Sequence, residues 1–199
     1  ERLHAYVMNR VDKYGNDQDD VDKIGIKFVA DFCKKVRELR KKYKHIIWTG
    51  GIGTFHMYAK WGENISATPN GRYAYDALAP NYSPVPGCDS NGPLAVLKSA
   101  SKADLRDMMT GTPVDISINA NEFEGESGII RLMDMIQGFC DLDGQIMSIT
   151  STSVDELKEA KIHPEKHRSL RVRMGGLSAY FVQLAPVAQD KIIERFERM

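Results

Sequence analysis

The chain has 199 residues, of which 42% are hydrophobic, and its 27 Lys and Arg against 27 Asp and Glu leave a formal net charge of zero. A balanced charge gives no broad positive field to hold nucleic acid or an anionic membrane surface, and no apolar run approaches the length of a membrane span. The expectation is a cytoplasmic globular chain of one or two domains with no nucleic-acid or membrane partner.

In chain order, Leu3, Tyr6, Val7, Arg10 and Val11 form a short helical face. After GNDQDD, a longer one runs through Val21, Ile24, Phe28, Val29, Phe32, Val36 and Leu39, with Asp19 and Asp20 as cap and favourable dipole charge. The basic run KKYKH at 41–45 fits the solvated end of that helix. IIWTGGIGTFHMYAKWG at 46–62 is β-branched and aromatic and predicts a buried strand entered by a turn. His56 and Tyr58 alternate there and could line a substrate pocket, although a hydrogen-bonded core histidine is the commoner use of a buried imidazole. Gly50-Gly51-Ile52-Gly53 lacks the lysine of a phosphate-binding loop and precedes no helical pattern.

Residues 67–93 carry five of the eight prolines and predict a long excursion without regular structure, of the kind that serves function or an interface. A strand is expected at 94–100, an alternating strand VDISIN at 114–119, a helix from Ile129 to Cys140 and a strand QIMSIT at 145–150. Ser153-Val-Asp-Glu156 is a capping box that starts a short helix, and residues 185–197 form an amphipathic one. Strands alternating with helices predict α/β layers. His163 and His167 have the spacing of a metal pair, but Pro164 disfavours helix at His163 and no third ligand follows, so no metal site is expected. Cys33, Cys88 and Cys140 stand far apart in no ligand-like spacing; Cys33 and Cys140 fall on apolar helical stripes and are expected in the core. Met133, Met135, Met147 and Met174 are expected as deformable core packing.

Three segments belong together: ATPNGR at 67–72, NGPLAVLKSASK at 91–102 and RVRMGGLSAYF at 171–181, followed by VQLAPVAQDKIIER. In order, spacing and position they resemble the C-terminal part of the glycyl radical enzymes, the pyruvate formate-lyase-like family, from about residue 14 to the end. Gly175-Gly176 alone, between two strand-like runs, would read as a tight turn. The resemblance implies more: an arginine two positions before an almost C-terminal glycine marks where a partner activase removes a hydrogen from Cα, which makes Gly175 the radical residue. Arg173, Met174, Gly176, Ser178 and Tyr180 would support the radical loop. A Cα radical flattens and delocalises into the flanking amides, and glycine offers this with no side chain in the way. The usual residue before the radical glycine is small and the usual one after it aromatic. Here Met174 and Gly176 stand in those places, which puts the subfamily in question.

The resemblance further implies an α/β fold made of the C-terminal part of a glycyl radical enzyme β/α barrel (1–128) plus the glycyl radical domain (129–199). It implies no permanently bound cofactor. The radical would be installed by an activase that uses S-adenosylmethionine and an iron–sulfur cluster. Family members relay the radical to a cysteine upstream. None of the three cysteines sits in that context, Cys88 in PGCDSNGP being an inert thiol, so the catalytic cysteine is expected on an N-terminal part or separate large subunit. The complete enzyme is expected to be a homo-oligomer, anaerobic and oxygen-sensitive, and to act as a lyase, dehydratase or decarboxylase, or in acyl transfer as a formate acetyltransferase. The alternative is a non-catalytic spare part that completes a larger, damaged enzyme.

Overall fold

A computed structural model describes residues 1–54, 57–118, 120–174 and 177–197. Helices α1 (Arg2–Arg10), α2 (Asp19–Lys42), α3 (Met57–Gly62) and α4 (Gly92–Ser101) precede strand β1 (Pro113–Ser117). Then follow α5 (Gly125–Asp141), β2 (Ile146–Thr150), α6 (Val154–Ile162), the strands β3 (Arg171–Met174) and β4 (Leu177–Tyr180), and α7 (Pro186–Glu197). Among the described residues no helix is long and apolar enough to cross a membrane.

Charge marks the ends of α2, whose N-cap is Gln18 without a side-chain cap bond and not the expected Asp19 or Asp20. α2 opens on Asp19, Asp20 and Asp22 and closes on Arg40, Lys41 and Lys42, each sign at the pole of the helix dipole that favours it. The capping box forms as expected: Ser153 Oγ accepts from the Glu156 amide at 3.1 Å. β1 and β2 pair in parallel, with Asp115 opposite Ser148 and Ile116 opposite Ile149. Alternation along the strands turns Val114, Ile116, Met147 and Ile149 into a first core, which Val29 and Cys33 of α2, Val96 of α4 and Met135 and Phe139 of α5 complete. A second core gathers Leu157, Ala160, Val172, Phe181, Ile192 and Ile193 from the last elements of the chain.

Several expectations are corrected. Residues 46–54 form no strand; a single parallel bridge joins Gly51 to Gly111, because a strand exists only through its partners. The segment after them is α3, so Tyr58 lies on a helix and not on a barrel strand. The apolar run 94–100 belongs to α4, which Pro93 starts in the first turn where its missing N–H costs nothing. Cys33 and Met135 are buried, but Cys140 is exposed and Met133 is 62% exposed. Four helices come first, and strands alternate with helices only from α4 onward apart from the β3–β4 hairpin; a parallel pair closes no barrel by itself.

The excursion from 65 to 91 has no helix or strand, and side chains hold it. Buried Arg72 gives Nη1 to the Asp76 carbonyl at 2.6 Å and Nη2 to those of Ser66 at 2.6 Å and Ile65 at 3.3 Å. Gly71 before it has φ +99°, and a Cβ there would meet Met8 Sδ of α1 at 2.5 Å. Asn16 ties the other end: its Nδ2 donates to the Cys88 carbonyl at 2.7 Å, and its Oδ1 accepts from the Asn91 amide at 2.9 Å.

Candidate radical-bearing site

The sequence RVRM…LSAY becomes an antiparallel hairpin: Arg171 opposite Tyr180, Val172 opposite Ala179, Arg173 opposite Ser178, and Met174 opposite Leu177. Gly175 and Gly176, which stand between the paired strands in sequence, lie outside the described residues, as does the side chain of Met174. The period of two buries Val172 and leaves Arg171, Arg173 and Ser178 exposed. Across the ladder Arg171 Nη2 donates to Tyr180 Oη at 2.9 Å, and its guanidinium lies 5.0 Å from the ring centroid, a cation–π pair that ties the two strands.

The base of the hairpin is fixed by the fully buried Phe181. Its amide donates to the Leu170 carbonyl at 2.9 Å, and its carbonyl accepts from the buried Gln189 Nε2 of α7 at 2.9 Å. On the sheet side β2 lies against β3, and Thr150 Oγ1 approaches the Arg173 carbonyl at 3.5 Å. The hairpin thus stands on the second core with its strand ends held from two directions. Sequence reasoning named Arg173, Ser178 and Tyr180 and did not name Gln189, which reaches back eight positions to Phe181, or Thr150, whose contact with the Arg173 carbonyl spans 23.

The expected substrate-pocket residues are placed differently. His56 lies outside the described residues. Tyr58 is 3% exposed and lines a cavity of about 450 Å³ together with His4, Arg72, Tyr73, Tyr75 and Cys88. His4 stacks on Tyr73 with ring centroids 4.3 Å apart, and its Nε2 meets the Gly71 carbonyl at 2.9 Å. The Cys88 thiol is pushed up by burial, which disfavours the thiolate and suits an unreactive wall residue. Asp17, Asp19 and Asp22 converge, but the Lys102 ammonium sits among them at 2.7–2.8 Å, and Asp22 also accepts from Ser99 Oγ at 3.0 Å. Burial opposes the charge of Lys102, yet hydrogen bonds to Asp17, Asp19 and Asp22 prevail and raise its pKa above the usual lysine value. The cluster is an ion-paired anchor between α2 and the end of α4.

Comparison with known proteins accounts for both ends of the chain. Residues 78–182 match the family model described as "Glycine radical", and residues 1–62 match the one described as "Pyruvate formate lyase-like". Over 205 residues the chain is 33% identical to "Probable dehydratase YbiW" of Escherichia coli (strain K12), covering 100% of this chain and 25% of that protein. To the isethionate sulfite-lyase of Bilophila wadsworthia it is 32% identical over 191 residues, 92% of this chain and 22% of the relative. The glycerol-bound B12-independent glycerol dehydratase from Clostridium butyricum superposes with a TM-score of 0.85 at 29% identity, over 96% of this chain and 24% of that one. The chain therefore spans about a quarter of the length of these relatives. With the hairpin, its flanking arginine and the glycine-radical match on the same residues, the chain belongs to the glycyl radical enzyme family.

Proposed function

We propose that the chain is the C-terminal segment of a lyase-type glycyl radical enzyme and that it stores an unpaired electron on Gly175. The observation that carries this reading is the glycine pair set between the strands of a hairpin whose base is locked into its own core. A partner activase, using S-adenosylmethionine and an iron–sulfur cluster, would take one α-hydrogen. A cysteine thiol on the N-terminal part or large subunit would then return a hydrogen atom to Cα, and the resulting thiyl would abstract one from substrate. Dehydratase and sulfite-lyase names among the relatives favour C–O or C–S cleavage over acyl transfer. The match over residues 1–62, far from the radical motif, favours a piece of a complete enzyme over a spare part. For the division of the chain we propose barrel-type structure in 1–128 and radical-bearing structure in 129–199. The packing favours moving that line past Thr150, because α5 and β2 share the first core.

A second reading places the radical on Gly176. It is favoured by the neighbours, since the residue before is then the small Gly175 and the residue after the bulky Leu177, while Arg173 then stands three positions before the glycine instead of two. Anaerobic electron paramagnetic resonance after incubation of the complete enzyme with activase and S-adenosylmethionine tests both. A doublet lost in Gly175→Ala and kept in Gly176→Ala supports the first reading, and the opposite pattern supports the second. No signal with a competent activase overturns the proposal.

A further inference from the structure

Helix α5 turns Met135 and Phe139 into the first core, with Leu132 packed against it. A second apolar stripe runs beside that face: Ile129 is 57%, Met133 62% and Ile136 40% exposed, and Cys140 is exposed too. Their spacing is four, three and four residues, the seam that packs one helix against another. No charged side chain interrupts it. At 3.6 residues per turn Asp134, Gln137 and Asp141 fall on the face turned away from the first core, together with the 51% exposed Ile130, and Gln137 Nε2 donates to Asp141 Oδ1 at 2.7 Å. A helix with an exposed apolar stripe beside its buried face belongs in a middle layer, and among the described residues only the partner of the buried face is present.

We infer that the Ile129–Met133–Ile136–Cys140 stripe is the docking seam for a helix of the polypeptide that carries the rest of the enzyme. Length argues for that occupant: the relatives extend to about four times the matched segment, with this chain covering 25% and 22% of the first two. A contiguous apolar patch rimmed by polar residues marks an interaction site. The inference rests on the reading of this chain as one segment of a larger enzyme, and it adds which face of it meets the remainder.

Cys140 is a built-in reporter, with buried Cys33 as the control within the same chain. N-ethylmaleimide labelling is compared between residues 1–199 purified alone and the native enzyme purified anaerobically from its source. The expected result is at least tenfold slower labelling of Cys140 in the native enzyme, with Cys33 slow in both. Equal rates at Cys140 overturn the inference. Protection of Cys140 in the isolated chain that grows with its concentration overturns it as well, by assigning the seam to a second copy. Met133→Lys is expected to leave the melting of the isolated chain unchanged and to weaken its association with the remainder at least tenfold; unchanged association sinks the proposal. A radical signal without Cys140 protection removes the seam and keeps the function, whereas protection without a radical signal keeps the seam and removes the function.

Discussion

The first core draws Val29 and Cys33, Tyr82, Val96, Val114 and Phe139 together from segments spread over more than a hundred residues, whereas the second collects Leu157 to Ile193 from one short stretch of chain. The irregular excursion that flanks the first core is held within itself by Arg72 and tied to the start of the chain by Asn16, while the Lys102 anchor joins α2 to the end of α4 across 80 positions. The hairpin on the second core is held by a local ladder, a cap and one helix. Local contacts cost little loop-closure entropy and can open or close as a unit, while long-range contacts bind separate segments into one cooperative body. The β3–β4 hairpin thus rests on the more self-contained of the two.

The strongest way to break this comparison is Phe181→Ala. Removing a fully buried phenyl ring costs about 3–5 kcal/mol, and hydrogen exchange should rise across 154–197 while the first core keeps its protection. A single cooperative loss of both cores would show that they are one unit. Next is Arg72→Lys, which cannot satisfy the same spread of carbonyls and leaves buried acceptors unpaired, at a cost of about 2–3 kcal/mol. Its exchange signature should fall on 65–76 and leave the hairpin untouched. Ser153→Ala removes the cap of α6 and should cost about 1 kcal/mol, read as a lowered urea midpoint of the second core alone.

Acid should act on the first core. A hydrogen bond from Arg37 holds the Asp107 carboxyl below the usual carboxylate range, and one from Lys102 does the same for Asp17. A depressed folded pKa contributes stability that is present above the unfolded value of about 4 and is lost as pH falls through the folded one. Urea unfolding monitored at the first core should therefore weaken below about pH 4, and Asp107→Asn should flatten that dependence.

What was legible in the sequence follows the same division. The capping signal at Ser153 and the strand-like runs on either side of Gly175-Gly176 are local signals, and the structure has the cap and the paired strands. Residues 46–54 and 94–100 misled because short apolar runs satisfy strand and helix templates alike; tertiary partners decide, and α4 won where a strand was expected. The stripe on α5 was legible as apolar, but pattern alone does not say whether its partner lies within the same chain. The Asp22–Lys102 pair was invisible as a contact, since no spacing announces a bond between residues 80 positions apart, and the acceptors of Arg72 and Gln189, four to eight positions away, are main-chain carbonyls that no residue pattern marks. The glycine pair was singled out through the family motif, not through its geometry.

The most direct test of the central claim is the mass of the fragments that form when the activated enzyme meets air. Loss of full-length chain with a new terminus at Gly175 or Gly176 is the result the account predicts, and the terminus also distinguishes the two glycines. A chain that carries the anaerobic doublet yet stays intact at this pair on exposure to oxygen would contradict it.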